Sequence, residues 1–164
     1  MQRPFENCYW VEEGKFLAGE YPRNKDHASS EAKVQAILAA GVTAFVDLTE
    51  DGELLPYEAF IHPAAYYRFP IVDVSIPESP AEMVRILDTL DQLMAAEAVI
   101  YLHCWGGVGR TGTVVGCWLA RQMGGSLAWE RLQQSWQQCA KSAFKQSPET
   151  LAQQRYVKTW PVGQ

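Results

Sequence analysis

The segment "VIYLHCWGGVGRTGTVVGCWLA" (residues 99–120) decides the fold. An apolar run stops at His103-Cys104, Gly106, Gly107 and Gly109 follow within five small or apolar residues, and Arg110-Thr111 opens a second apolar run. The first run predicts a fully buried strand over 98–104. The second, "TGTVVGCWLARQM" (111–123), is apolar on nearly all sides and predicts a central buried helix. Glycines between them let the backbone curl tightly, through positive φ where needed. Such a curl between a strand end and a helix start turns successive N–H groups inward, into a concave anion site. Arg110 adds a planar fork of donors that matches two oxygens of a tetrahedral anion. The field that attracts an anion also favours thiolate over thiol at Cys104. The segment thus offers a nucleophile and a clamp for the group it attacks.

Outward from this junction, "SPAEMVRILDTLDQLMAAEA" (79–98) carries Ser79 and Glu82 as a capping box and Pro80 at the first helical position. Met83, Ile86, Leu87, Leu90, Leu93 and Met94 form its apolar stripe. "GKFLAGEYP" (14–22), "VTAFVDLT" (42–49) and "YYRFPI" (66–71) predict strands, and "SSEAKVQAILAAG" (29–41) a helix with serines at its cap. "EDGELLPYEAF" (50–60) predicts a loop with a helical turn. "SLAWERLQQSWQQCA" (126–140) and "SPETLAQQRYVKTW" (147–160) predict two further helices. Strands early and helices late, around one strand–loop–helix unit, give an α/β domain with a mixed sheet and helices packed on it.

A chain of 164 residues fits one domain, taken as 1–164, with room for a sizeable core. The net charge of −5 argues against general binding to nucleic acid or anionic membranes. No stretch reaches the length of a membrane span, and no apolar signal-like segment follows Met1. Cys8, Cys104, Cys117 and Cys139 are widely spaced, without CxxC or Cys/His ligand spacing. They fit reduced thiols in a cytoplasmic protein, not a disulfide framework or a metal site.

"HCWGGVGRT" (103–111) matches a His-Cys-x5-Arg-Ser/Thr signature, and the chain resembles the cysteine-dependent protein tyrosine phosphatase superfamily, in its small dual-specificity-like branch. The likeness spans roughly residues 14–160. It implies a central, mostly parallel mixed sheet flanked by helices, and hydrolysis of phosphate monoesters through a phosphocysteine. Cys104 would be the nucleophile, and the amides of Trp105, Gly106, Gly107, Val108, Gly109 and Arg110, with the Arg110 side chain, would hold the phosphoryl oxygens. "FPIVDVSIP" (69–77) resembles the segment that carries the general acid, which falls on Asp73, 31 positions before Cys104. Thr111 would stabilise the departing sulfur, and His103 would order the loop from below and tune the sulfur. No metal or cofactor is implied.

The substrate would be phosphotyrosine, with phosphoserine and phosphothreonine open to a shallow cleft, or a small-molecule, lipid or inositol phosphate. The absence of charge between Cys104 and Arg110 points to a singly phosphorylated group. The acidic loop "TEDGEL" (49–54) would repel polyanions if it lies near the cleft. Glu78 and Asp51 are weaker substitutes for the acid, and Asp47 is expected inside the sheet. Gln153 falls where relatives can carry a water-positioning glutamine, although its polar helix favours an exposed side chain. Oligomeric state is not legible. One competing reading remains: "GVGRTG" (107–112) also satisfies G-x-G-x-x-G, with Glu130 downstream as the acid of a dinucleotide-binding oxidoreductase. It requires a second parallel strand ending at that acid.

Overall fold

A computed structural model describes residues 2–164. Its sheet has the order β1-β2-β5-β3-β4, with β1 (Cys8–Glu12), β2 (Phe16–Gly19), β3 (Ala44–Asp47), β4 (Ala65–Arg68) and β5 (Ile100–His103). β1 and β2 are antiparallel, whereas β2, β5, β3 and β4 all run the same way. This is the expected mixed, mostly parallel sheet. β1 is an addition: the sequence pattern gave no strand before residue 14. It forms a hairpin with β2 across Gly14, whose φ of 73° suits the turn.

Side-chain alternation along the strands splits the core in two. Phe16, Ala18, Val46, Ile100 and Leu102 face one way, toward α2 (Pro80–Ala95), α3 (Gly109–Met123), α4 (Gly125–Trp136) and α5 (Leu151–Thr159). Leu17, Phe45 and Tyr101 face the other way, with Val34 and Ile37 of α1 (His27–Ala39). Strands covered on both faces must be apolar throughout, which explains the unbroken run in β5. α3 is buried from Gly109 to Ala120, as its sequence demands.

Two cap assignments change. Asp26, not a serine, caps α1 by accepting from Ser29 N at 2.8 Å. Ser79 does cap α2, but Glu82 reaches back to Glu78 N and so completes only half of the expected box. The dinucleotide reading fails on topology. α3 is followed by α4, and Glu130 is an exposed residue of that helix with no strand beneath it.

The pairing Gly19↔His103 and Asp47↔His103 sets the C-terminal ends of β2, β5 and β3 level, with Arg68 of β4 beside Asp47. The loops that follow these four parallel strands therefore emerge along one edge, the usual location of a site in such sheets.

Candidate active site

The loop after β5 runs straight into α3, whose first turn has no side-chain cap at Val108. Its free N–H groups and the positive end of the helix dipole are thus presented at residues 105–110. Gly107 makes the curl feasible. Its φ is 70°, and a Cβ there would fall on the Gly19 carbonyl group behind the loop. The loop is also braced from outside. Tyr21 N donates to Trp105 O at 2.8 Å, and Lys141 Nζ donates to Gly106 O at 2.8 Å. With these carbonyls engaged outward, the peptide dipoles keep their N–H ends toward the concave side. Lys141 itself is paired with Glu20 at 2.6 Å, and Glu20 with Lys33 at 2.7 Å. Burial alone would raise the Glu20 pKa, but the hydrogen bonds from the two lysines bring it below the usual carboxylate value.

A cleft of about 280 Å³ opens over the loop, lined among others by Asp73, Val74, Cys104, Trp105, Arg110 and Lys145. Cys104 is 3% exposed, and what exposure it has faces this cleft. Arg110 is almost fully buried, and its two Nη atoms make three hydrogen bonds and two ion pairs. Nη1 donates to Glu53 Oε2 at 2.8 Å and to Ile71 O at 3.0 Å. Nη2 donates to Glu53 Oε1 at 2.6 Å and lies 3.0 Å from Asp73 Oδ1. Its Nε is buried without a partner. Burial disfavours the charged guanidinium, yet Glu53, Cys104 and Asp73 together hold its pKa above the usual value. Conversely, the hydrogen bond from Arg110 lowers the Glu53 pKa against the opposing effect of burial.

Three expected residues, Cys104, Arg110 and Asp73, therefore meet in one cleft. Trp105, Gly106, Val108 and Gly109 also line it, and Trp105 is 58% exposed at the rim. Gly107 lies behind the lining. Thr111 is fully buried in the first turn of α3, and its hydroxyl has no hydrogen-bond partner. His103 lies below the loop, with Nε2 2.6 Å from Tyr57 Oη and Nδ1 3.3 Å from Cys104 O. Burial pushes its pKa down to about 4, so at neutral pH the ring that meets the Cys104 carbonyl is uncharged. Asp47 is indeed inside the sheet, bound to Tyr66 Oη and Thr49. Asp51 pairs with Arg68 at the surface, and neither Asp51 nor Glu78 lines the cleft.

Gln153 reverses its expectation. It is fully buried, its Oε1 accepts from Thr150 N at 3.0 Å, and its Nε2 donates to Ser75 O at 3.0 Å. One amide thus links the start of α5 to the loop carrying Asp73. Glu53, Lys141 and Lys145 were missed in the sequence. Only Glu53 lay in a segment already suspected, the acidic loop 49–54.

The family described as "PTP-SAK: Swiss Army Knife protein, DSP-PTPase phosphatase domain" matches residues 5–157. The chain is 34% identical over 111 residues to "Putative tyrosine phosphatase 067L" of Invertebrate iridescent virus 3, covering 65% of this chain and 42% of the viral one. It is 32% identical over 105 residues to "Putative tyrosine phosphatase 197R" of Invertebrate iridescent virus 6, covering 61% and 36%. The chain thus matches only about two fifths of the length of these relatives. Among solved structures, the active form of Tk-PTP superposes with a TM-score of 0.73 at 22% identity, over 94% of this chain and 95% of that one. TpbA of P. aeruginosa in complex with pTyr gives 0.69 at 18%, over 97% and 87%. PTPMT1 in complex with PI(5)P gives 0.69 at 15%, over 93% of both. These structural likenesses establish the fold, and the family match establishes kinship: the chain belongs to the dual-specificity-like branch of the protein tyrosine phosphatases.

Proposed function

We propose that the protein hydrolyses phosphate monoesters through a phosphocysteine on Cys104. The observation that carries this reading is the buried, unpartnered Nε of Arg110 in the cleft that Cys104 and Asp73 also line. A donor without a partner costs about 1–3 kcal/mol when buried, and an incoming phosphoryl oxygen relieves that cost. The sulfur attacks phosphorus in line, and an S–P bond forms as the P–O bond breaks. Loop amides and Arg110 hold the equatorial oxygens, where fixed dipoles stabilise the transition state. The incoming dianion competes with Asp73 for Nη2, so the carboxyl is released toward the leaving oxygen. There, in its protonated form, it delivers a proton, and the carboxylate so formed takes one in the second step from the water that cleaves the S–P bond. Thr111 supplies its free hydroxyl to the sulfur as it departs.

The substrate class we assign is phosphotyrosine in proteins, with phosphoserine and phosphothreonine admitted by the shallow cleft. The residues between Cys104 and Arg110 are uncharged, which matches a single phosphate. A lipid or inositol phosphate is the second reading; Lys145 stands on the cleft wall, but it is paired there with Glu149 at 3.5 Å. Residues 1–164 act as one catalytic unit, and a cytoplasmic location suits four cysteines that are all free thiols.

Hydrolysis of 4-nitrophenyl phosphate by wild type, Cys104→Ser and Asp73→Asn tests the chemistry. Cys104→Ser is expected to abolish turnover. Asp73→Asn is expected to cost about 10²–10⁴-fold and to flatten one limb of the pH profile. Full activity in the serine variant removes the covalent mechanism. An unaltered asparagine variant moves the acid to another residue.

A further inference from the structure

Beside the catalytic cleft lies a larger one of about 660 Å³, built between the loop after β2 and the loop after β3. Trp105 lines both clefts and forms the ridge between them. Tyr21, Leu54 and Leu55 give the second cleft apolar walls, and Arg23 and Lys25 give it positive charge. The acid that lines this cleft, and the one beside Lys25, are already engaged. Glu53 is held by both Nη atoms of Arg110, and Asp26 caps α1. The cations are not engaged in this way. Among the described residues, neither Arg23 nor Lys25 pairs with a carboxylate. Arg23 donates only to the Pro56 carbonyl, lies over the Phe60 ring at 5.5 Å, and has a buried Nε without a partner.

Resting on the phosphatase reading above, we propose that this second cleft is a specificity subsite for an acidic side chain close to the phosphorylated residue of a peptide substrate. The peptide's apolar atoms would lie on Trp105, Leu54 and Leu55, and its carboxylate would meet Arg23 and Lys25. Two separated single charges in an otherwise apolar cleft suit one carboxylate. They suit an anionic lipid surface poorly, because such a surface extends past the cleft to exposed Glu50 on the same loop, which repels it. Trp105, as the shared wall, sets the distance between the phosphoryl group and the second anion.

The test compares kcat/KM for 4-nitrophenyl phosphate and for two phosphotyrosine peptides that differ only by Glu or Gln beside the phosphotyrosine. Wild type, Lys25→Gln, Arg23→Gln and the double variant are assayed at low and high salt. The wild type is expected to prefer the Glu peptide, each cation contributing about two- to five-fold, the size of a solvent-accessible ion pair. The preference acts through KM, shrinks at high salt and disappears in the double variant. Rates on 4-nitrophenyl phosphate and on the Gln peptide stay unchanged. Equal wild-type rates on the two peptides, or variants that slow all three substrates alike, overturn the subsite and leave the phosphatase reading standing. Faster hydrolysis of phosphatidylinositol monophosphate in vesicles, lost in the same variants, overturns it in favour of a lipid headgroup. Wild type that turns over nothing sinks the phosphatase reading and the subsite with it.

Discussion

Glu53 and Arg110 face each other as a two-point pair, Oε1 to Nη2 at 2.6 Å and Oε2 to Nη1 at 2.8 Å, from a loop and a helix start 57 residues apart. This pairing fixes the plane of the guanidinium and leaves its buried Nε without a partner. The same contact explains how an acidic loop can border the cleft: the Glu53 charge is paired with Arg110. Replacing Glu53 with Ala frees the guanidinium to rotate, and small misplacements of a clamp cost about 10²-fold in rate. The expected result is a fall of that order in kcat, with a smaller change in melting temperature, measured by steady-state kinetics and calorimetry. The pair also has a pH signature. The Glu53 pKa is lowered in the folded protein, so its contribution to stability is complete above the unfolded carboxylate value and is lost as pH falls through the lowered one.

His103 titrates in a different window. Its folded pKa is about 4 against an ordinary value of 6.5, because burial disfavours the imidazolium. Above pH 6.5 the ring is neutral in both folded and unfolded chains and adds no pH dependence. As pH falls from 6.5 to 4, only the unfolded chain gains the proton. Stability then drops, by on the order of 3 kcal/mol in total. Urea unfolding at pH 7 and pH 4.5 measures this. His103→Gln is expected to lose most of the slope between them, and an unaltered slope assigns the acid sensitivity to other groups.

Lys141 acts on the loop at one remove. It reaches Gly106 O from the short helical turn that follows α4 and also pairs with Glu20. Lys141→Met leaves the Gly106 carbonyl without its donor, at a cost of about 1–3 kcal/mol. With that carbonyl freer to turn, the amide next to it no longer points reliably into the cleft. The inhibition constant for inorganic phosphate is expected to rise about tenfold, the equivalent of one hydrogen bond to a charged group. Loss of stability with unaltered phosphate affinity reduces Lys141 to a packing role.

The sheet and the loop between β5 and α3 were legible because their signals are local. An apolar run, spaced glycines and a buried helix lie within 22 residues of one another. β1 was not legible, since "CYWVE" is a short edge strand among polar neighbours and its partner is set by the turn at Gly14. Glu53 and Lys141 were hidden for another reason. Their bonds to Arg110 and Gly106 span 57 and 35 residues, and neither a period nor a spacing encodes a contact made across a sheet edge. Gln153 did have a signal. Thr150-Leu-Ala-Gln153 is a capping-box pattern, which turns the glutamine back on its own helix start and into the protein.

That buried amide also separates two roles by the chemistry of the leaving group. Gln153 Oε1 holds Thr150 N, while Nε2 holds Ser75 O, two residues beyond Asp73. Gln153→Glu keeps the acceptor and loses the donor, so the cap survives while the acid loop loses its tether. A carboxylate beside the Ser75 carbonyl is repulsive, and the loop carrying Asp73 is expected to shift away from the cleft. Proton donation matters most for poor leaving groups. The variant should therefore lose about tenfold or more in kcat on phenyl phosphate, within the range of a general-acid contribution, and a smaller factor on 4-nitrophenyl phosphate. Gln153→Ala removes both bonds and adds the loss of a cap contact, about 0.5–2 kcal/mol in stability. Equal losses on both phosphate esters in Gln153→Glu indicate that the glutamine serves the hydrolytic water or the fold, and that Asp73 does not depend on it.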